Sequence, residues 1–326
     1  MKKTFFSLSL ILAFSFSLYS CKNVVNFSKV EYPKPSYSAA QKQELINYTN
    51  AIKKNPNDAN NYGNKARLEK DCCDFMNALN DFDKAIELDG TNYQNYNDRA
   101  SLKKDLGFFI SAVKDYDKAI ELCPNHDKFY IDRADVKIKI ADYSGAIKDC
   151  DKAIELNANN YEAYEKRADA KKRVNDKAGA IKDYDKAIEL IPYKFDNYKD
   201  KAECIDLLDN YEVAVEYYEK AVKLNENDSY IWDNYANTLR NFGKKNEAIQ
   251  AYKKAIELNA NHIYAYVNLA RVQAEIGDFD GALISLEQAQ NIDVNNKYIQ
   301  EQIDELQKQK TEKSVAQSEE QSGENE

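Results

Sequence analysis

The sequence predicts an all-α solenoid, in which antiparallel helix pairs stack on one another along most of the chain. Three observations predict it: a 34-residue period, small residues at fixed places within that period, and a shortage of helix breakers. The 326 residues include only 9 Gly and 5 Pro, whereas Ala, Lys, Glu and Leu, which favour helices, are abundant. A repeat array of this kind can lengthen without starting a second core.

The first element is an export signal, residues 1–20. Lys2 and Lys3 precede an apolar stretch from Phe5 to Leu18, which is the order of a secretory signal. The stretch has roughly 14 residues, fewer than the ~20 that a helix needs to span a bilayer. A cleaved signal is therefore favoured over an uncleaved membrane anchor.

The tetrapeptide 18–21 resembles the lipobox of bacterial lipoproteins. In that family the signal is cut before the cysteine, which then carries acyl chains. The resemblance implies lipidation of Cys21, stable attachment to a membrane, and a place in the cell envelope on the periplasmic or outer-membrane side. Cleavage nearby, giving a secreted product, is the alternative. Residues 21–38, with Pro33 and Pro35, would form a tether.

The period is visible in a recurring phrase. Lys-Ala-Ile-Glu-Leu occupies residues 84–88 and begins again at residues 118, 152, 186 and 254, in steps of 34 or a multiple of 34. Periods of 20–50 residues indicate a solenoid. With Ala85 at position 27, the period divides the chain into seven units, which are 59–92, 93–126, 127–160, 161–194, 195–228, 229–262 and 263–296.

Alanine occupies positions 8, 20 and 27 in all seven units, as Ala66, Ala78 and Ala85 do in the first. Two antiparallel helices approach closely only where both carry small side chains, so these positions mark helix contacts within and between units. Aromatic residues recur at position 4 and, in five units, at position 24. We expect these rings to fill the space between the close contacts. A single pair cannot bury enough apolar area, so stacking supplies the stability.

These features resemble the tetratricopeptide-repeat family over about four fifths of the chain. The resemblance implies a right-handed superhelix of antiparallel helix pairs. It also implies that the first helix of each unit lines a concave groove for protein or peptide ligands. The chain departs from the family at position 7, where leucine is typical and where five units carry Lys or Arg.

The position-7 cations coincide with aspartates at position 23 in the first four units. The pairs are Lys65 with Asp81, Arg99 with Asp115, Arg133 with Asp149, and Arg167 with Asp183. Either the two charges bridge the helices of a unit or both are solvated. Lys201 is an exception, because its unit has Tyr217 at position 23. We interpret the recurring Asp-x-Asp-Lys sequence as a solvated helix face rather than a calcium site, since it lacks a glycine-turned loop.

The segments at the two ends of the array are predicted to differ from the repeats. Residues 39–58 match a second helix without its first, and are predicted to cap the first unit. Residues 297–310 carry an apolar stripe and resemble the solvating helix that closes such arrays. Residues 311–326 have Val315 as their one large apolar residue and are acidic, so we expect disorder.

In the family, positions 2, 5, 9, 12 and 13 of the first helix commonly contact ligand. The candidate groove residues that follow are Asn60, Arg67, Lys70, Gln94, Asn97, Lys104, Asp169, Arg173, Lys199, Tyr230, Asn237, Arg240, Tyr264 and Arg271. One family mode clamps a ligand carboxylate with Lys and two Asn. Asn237 and Asn268 match two of these places, but Asp233 stands where the Lys should be and would repel a carboxylate.

Catalysis is not expected, because no segment outside the array is long enough for a catalytic domain. The two histidines, His126 and His262, lie in separate turns, and the cysteines show no zinc spacing. We therefore expect no metal, cofactor or small-molecule substrate. The net charge of −9 disfavours nucleic acid. The sequence predicts a membrane-tethered scaffold for envelope proteins. The alternative is an accessory factor of an envelope-building enzyme or outer-membrane assembly machine.

Overall fold

The structure is a computed structural model that describes residues 33–323. Within that range the chain forms sixteen α-helices and no strand. The predicted signal, Cys21 and the first part of the tether lie outside the described residues. The chain divides between Gly90 and Thr91 into two compact units, which are considered separately below. No helix among residues 33–323 has the length and apolar character needed to cross a membrane.

The first compact unit, residues 33–90, contains three helices. They are α1 (Ala39–Lys54), α2 (Ala59–Asp71) and α3 (Phe75–Leu88). Helices α2 and α3 form the first repeat as an antiparallel pair, and α1 packs against α2. The hydroxyl of Tyr37 donates to Asp74 over 2.9 Å, so the end of the predicted tether is fixed to the turn of the first repeat.

Local sequence sets where α1 begins. The side chain of Ser38 accepts from the Gln41 amide, and the Gln41 side chain accepts from the Ser38 amide. This reciprocal capping box satisfies two helix-end donors. Helix α1 has no fully buried residue, as expected of a helix that covers one side of its neighbour.

The second compact unit, residues 91–323, contains six further helix pairs and a final helix. The pairs are α4 (Tyr93–Asp105) with α5 (Phe109–Leu122), α6 (Asp127–Lys139) with α7 (Tyr143–Leu156), α8 (Tyr161–Arg173) with α9 (Lys177–Leu190), α10 (Phe195–Asp206) with α11 (Tyr211–Leu224), α12 (Ser229–Asn241) with α13 (Lys245–Leu258), and α14 (Ile263–Glu275) with α15 (Phe279–Ile292); the final helix is α16 (Lys297–Gly323). Each helix packs on the next one along the chain. The predicted all-α array of stacked pairs is confirmed.

The alanines are buried as the packing argument requires. Every alanine at positions 8, 20 and 27 is at most 2 % exposed. The five rings at position 24 are buried beside them; they are Phe82, Tyr116, Tyr184, Tyr218 and Tyr252. At position 4 the ring is less deeply placed, and its polar tip reaches the turn before it. Tyr130 donates to the Pro124 carbonyl over 2.9 Å, and Tyr198 donates to the Pro192 carbonyl over 2.8 Å.

Position 15 ends the first helix of every unit in a left-handed conformation. Glycine fills it three times, but the other four units use residues with a β-carbon; the seven are Cys73, Gly107, Ala141, Asn175, Asp209, Gly243 and Gly277. Positive φ is costly for residues other than glycine. The turn geometry is therefore imposed by the packing of the two helices, even where the local sequence opposes it.

The C-terminal segment differs from expectation. Helix α16 starts where the solvating helix was predicted, but continues to Gly323 through residues expected to be disordered. Gln, Lys, Glu and Ala are good helix formers, and no Gly or Pro interrupts them before Gly323. Ile299, Ile303 and Leu306 are buried against the last repeat, and Lys310 pairs with Asp280.

Cysteine placement follows the repeat register. Cys150 and Cys204 are buried in the core, as small apolar residues at those positions should be. The five cysteines of the described residues are free thiols. Burial raises the pKa of the Cys150 thiol to about 12 and that of Cys204 to about 11, so neither is a reactive thiolate at neutral pH.

Candidate peptide-binding face and ionic ladder

The charges at positions 7 and 23 bridge the two helices of their unit, which confirms the paired interpretation and rules out two solvated charges. Arg133 donates through Nε and Nη2 to both carboxylate oxygens of Asp149, at 2.9 and 2.5 Å. Arg99 and Asp115 and Arg167 and Asp183 repeat this two-bond geometry; Lys65 and Asp81 are 2.5 Å apart in the first compact unit.

Further ion pairs extend each of these pairs in the second compact unit, and some of them cross to the preceding repeat. Arg133 also reaches Asp117, at position 25 of the preceding repeat, over 2.6 Å, and Lys137 at position 11 contacts Asp149 over 2.8 Å. We call the whole set the ionic ladder; its members are Arg99, Lys103, Asp115, Asp117, Arg133, Lys137, Asp149, Asp151, Arg167, Lys171, Asp183, Asp185 and Lys201.

The ladder corrects the interpretation of Asp-x-Asp-Lys as a solvated helix face. Its first aspartate is buried in three repeats, as Asp115, Asp149 and Asp183. The second aspartate binds the position-7 cation of the next repeat, as Asp151 does with Arg167. The second aspartate and the lysine both face solvent: the Asp117 side chain is 54 % exposed, and Lys118 is 36 % exposed and pairs with Glu121 on the same helix. The spacing within one unit did not reveal the pair between Asp151 and Arg167, because the two residues belong to successive repeats.

The ladder stops in the fifth repeat. Lys201 is buried there, where it pairs with Asp185 and contacts the Tyr217 hydroxyl over 2.6 Å. The Tyr217 phenol thus takes the place of the missing aspartate, which accounts for the exception in the sequence pattern. In the sixth repeat the charges at positions 7 and 23 are replaced by Tyr235 and Ala251.

The predicted groove residues lie at recurring positions of the first helices of their repeats; the surface that those of the second compact unit occupy is called here the groove face. In the first compact unit, Asn60 is exposed, and Arg67 and Lys70 are half-buried. Arg67 donates to Asn64 over 2.9 Å. In the second unit, Gln94 and Asn97 both contact Asp98. These groove assignments remain predictions, because no ligand accompanies the chain.

Ion pairs connect neighbouring repeats along the groove face of the second compact unit. Asp135 accepts from Lys166 over 2.8 Å and lies 3.4 Å from the predicted groove residue Lys104. Burial opposes ionisation of Asp135, but these two lysines lower its pKa overall. Lys172 contacts Glu203 over 3.0 Å. Sequence reasoning did not select Asp135 or Lys166, because their pairing depends on the stacking of repeats.

Other predicted residues on this face have structural partners. Asp169 accepts from the buried Tyr184 hydroxyl over 2.7 Å, and Lys199 lies 3.6 Å from Asp196. Arg173 is exposed. Asp169 is therefore part of the packing as well as of the face, whereas the role of Arg173 in ligand contact remains a prediction.

The sixth and seventh repeats place the three residues of the imperfect carboxylate clamp together. Asp233 is buried, and its carboxylate accepts from Asn237 and Asn268, each over 3.4 Å. Burial raises the pKa of Asp233, although the nearby His262 and the hydrogen bonds from the two amides each act to lower it. Asn237 also accepts from the Tyr252 hydroxyl over 2.8 Å. The amides that would hold a ligand carboxylate instead contact this side chain.

Three tyrosines recur at a 34-residue spacing, at position 2 of the sixth and seventh repeats and at the corresponding place on the final helix. Tyr230 is 64 % exposed, Tyr264 is 74 % exposed, and Tyr298 on α16 is 49 % exposed. We call them the tyrosine row. Tyr298 was missed by sequence reasoning, although extending the 34-residue period one step beyond the seventh unit finds it. Arg271 lies beside the row, 3.5 Å from the Tyr298 hydroxyl.

Arg240 completes the polar surroundings of the row. Its guanidinium contacts Asn241 over 3.4 Å and lies 4.0 Å from Glu275. The last repeats therefore combine exposed aromatic rings with arginines and a buried carboxylate. Among residues 33–323, no group of His, Cys, Asp or Glu side chains is arranged to hold a metal ion.

Comparison with known sequences identifies three of the units directly. The tetratricopeptide-repeat family matches residues 93–126, 127–160 and 161–194, with the unit boundaries expected from the period. Residues 195–323 match a domain of unknown function, DUF7017. The chain therefore contains tetratricopeptide repeats in its ladder-bearing part, and the DUF7017 match begins with the repeat in which the ladder stops. No curated protein sequence matches the chain.

Solved structures share the fold. A tetratricopeptide-repeat protein from Parabacteroides merdae is 16 % identical, with a TM-score of 0.58 over 77 % of this chain and 99 % of that one. YrrB, described as a TPR protein with an unusual peptide-binding site, is 24 % identical, with a TM-score of 0.50 over 57 % of this chain and 96 % of that one. These likenesses establish the tetratricopeptide solenoid class.

Proposed function

We propose that the chain is a scaffold that binds a protein or an extended peptide segment along the groove face, with the tyrosine row as its main contact. The carrying observation is that Tyr230, Tyr264 and Tyr298 recur at a 34-residue spacing, in the last two repeats and on the final helix, and that each ring is at least 49 % exposed. A tyrosine ring offers a large contact area at small conformational cost. A row of them suits a long ligand better than a small molecule.

The electrostatics support a polypeptide ligand. Burial raises the pKa of the groove-face carboxyls Asp132 and Asp200 despite nearby lysines. Half-buried carboxyls beside lysines provide both acceptors and donors for a peptide backbone and its side chains. YrrB, which shares the fold, is described as having a peptide-binding site, and this lends the proposal further support.

The scaffold would be held at a membrane of the cell envelope through acyl chains on Cys21. The basic start, the apolar stretch and the tetrapeptide before Cys21 support this part of the proposal. Changing Cys21→Ser should move the chain from the membrane pellet to the soluble fraction of producing cells. A chain that stayed in the pellet after this change would contradict lipid tethering without affecting the groove proposal.

Ligand binding is tested by comparing tyrosine variants in the same envelope preparation. Cells producing the wild-type chain, Tyr230→Ala/Tyr264→Ala, or Tyr193→Ala are treated with an amine-reactive crosslinker, and the captured proteins are quantified. Tyr193 is a matched control, because it is 72 % exposed but lies in the turn before α10. We expect the double variant alone to lose most of the captured partner. Equal recovery from all three chains would exclude the tyrosine row as the binding site.

A further inference from the structure

A cleft of about 610 Å³ opens in the sixth repeat, away from the groove positions. It is lined by α11, α12, α13 and the turn between α11 and α12. Its apolar wall includes Val222, Leu239 and Ala251, and its aromatic wall consists of Trp232 and Tyr235.

The cleft lies at the positions that the ionic ladder fills in earlier repeats. In the third repeat, positions 7, 11 and 23 are Arg133, Lys137 and Asp149, and both cations pair with the Asp149 carboxylate. In the sixth repeat the same positions are Tyr235, Leu239 and Ala251, and all three line the cleft. The sixth repeat thus has the same helix pair as the third repeat but carries uncharged side chains at these three positions.

One acidic member of the pattern is left without its cation. The position-25 acids Asp117 and Asp151 each bind an arginine of the next repeat, at 2.6 and 2.7 Å. Glu219 is the position-25 acid of the fifth repeat, but it faces the neutral Tyr235, whose hydroxyl donates to it over 3.3 Å. Among the described residues Glu219 forms no ion pair. Its carboxylate lines the cleft.

The aromatic ring at position 4 has lost a cation as well. Arg133 lies 5.7 Å from the ring centroid of Tyr130, and Arg167 lies 5.5 Å from that of Tyr164. The corresponding ring in the sixth repeat is Trp232, held in place by a 2.9 Å hydrogen bond from its indole nitrogen to the Glu226 carbonyl. Tryptophan is the best aromatic partner for a cation.

We propose that this cleft binds an arginine side chain of a protein partner, whose guanidinium stacks on Trp232 and pairs with Glu219. The planar, delocalised guanidinium suits both an aromatic face and a carboxylate, and the earlier repeats place this group between the same two elements. The rim favours a cation, because its lining contains three acidic residues, Glu219, Glu226 and Glu247, and two basic ones, Lys223 and Lys254; Lys254 is already paired with Glu257 at 3.1 Å. This site goes beyond the proposed peptide-binding face, from which it differs in every lining residue.

Trp232 is the chain's one tryptophan, so its fluorescence reports on the cleft directly. The purified full-length chain, in mild detergent, is titrated with the peptide acetyl-Gly-Arg-Gly-amide. The matched probe replaces arginine with citrulline, which keeps the shape but lacks the charge. We expect a saturable change with the arginine peptide and at least about tenfold weaker binding of the citrulline peptide.

Two variants locate the binding. Glu219→Gln should weaken binding of the arginine peptide by about tenfold, whereas Glu212→Gln, an exposed change on the same helix, should leave it unaltered. Tyr235→Arg/Ala251→Asp restores the ladder residues and should block the cleft; circular dichroism verifies that it stays helical. No saturable signal, equal binding of both peptides, or unchanged binding by Glu219→Gln would overturn the proposal. Replacing the tyrosines of the tyrosine row should not affect this titration. The cleft proposal can therefore fail while the groove proposal stands, and the reverse.

Discussion

Arg133 of α6 and Asp149 of α7 form a two-bond ion pair with N–O distances of 2.9 and 2.5 Å, and the carboxylate is buried. The pair joins the two helices of one repeat at a position where most tetratricopeptide repeats carry leucine. Repetition of the pair turns the space between helices into a charged layer in repeats two to four. Where the layer ends, the structure opens into the cleft at Trp232.

Removing the cation of this pair should destabilise the chain strongly. Arg133→Met leaves the buried Asp149 with Lys137 as its remaining partner, so we expect a loss of about 2–4 kcal/mol in the free energy of unfolding. Urea unfolding measures the loss. The control is Lys152→Met, which breaks an exposed pair with Glu155 and should cost at most ~0.5 kcal/mol. Equal effects of the two changes would contradict a structural role for the ladder.

The effect on stability of removing a tyrosine hydroxyl at position 24 should differ between repeats. The Tyr184 hydroxyl donates to Asp169 over 2.7 Å, and Tyr184→Phe should therefore cost about 1–2 kcal/mol. The buried Tyr116 hydroxyl has no hydrogen-bond partner among the described residues, so Tyr116→Phe should be neutral or stabilising. Thermal unfolding of the two variants provides the comparison. A larger loss in Tyr116→Phe than in Tyr184→Phe would contradict this assignment of partners.

Position 15 offers a test of backbone strain. Ala141 has φ +62°, which costs a residue with a β-carbon about 1–2 kcal/mol. After allowing for the greater freedom of unfolded glycine, Ala141→Gly should stabilise the chain by roughly 0.5–1 kcal/mol. The reverse change, Gly243→Ala, should destabilise it, because Gly243 has φ +88° although the space for a β-carbon is open. Opposite shifts in unfolding temperature are expected. Shifts of the same sign would contradict the strain argument.

Stability of the first compact unit should fall as the pH rises through the titration of Glu69. Burial raises the pKa of this carboxyl to about 7, although Lys65 lies 2.9 Å away and is shared with Asp81. The folded state therefore holds a proton that the unfolded state releases near pH 4.5, so stability is lost between these two values as pH increases.

The variant Glu69→Gln isolates this effect. Relative to that variant, the wild-type chain should lose roughly 1–3 kcal/mol of unfolding free energy between about pH 5 and about pH 8. Exposed Glu87, changed to Gln in the same way, serves as the control and should show no such relative loss. If the wild-type chain gained stability relative to Glu69→Gln as the pH rose, the pH dependence would have the opposite sign. That result would contradict the burial argument.

The sequence predicts the helix pairs well because the period and the alanines report local, repeated contacts. Ala168, for example, lies at the same packing position as six other alanines, and all are buried. The ladder could be foreseen only in part, because the pairing of Arg167 with Asp151 crosses from one repeat to the next. Whether a charge is buried depends on neighbours that a single unit does not contain.

The proposed binding face was predicted less completely for a related reason. Family positions selected Tyr230 and Tyr264, but Tyr298 lies in a helix that had been assigned only a capping role. The segment after residue 310 was expected to be disordered from its charge, yet its residue types also favour helix, and a helix already anchored by Leu306 extends through them.

The most direct test of the proposed scaffold is site-specific photocrosslinking. Benzoylphenylalanine replaces Tyr264 in one chain and the equally exposed Tyr193 in another, and irradiated cells are examined for a covalent adduct. We expect a discrete adduct with a protein from position 264 and none from position 193. Adducts of the same size and yield from both positions, or from position 193 alone, would contradict a binding face centred on the tyrosine row.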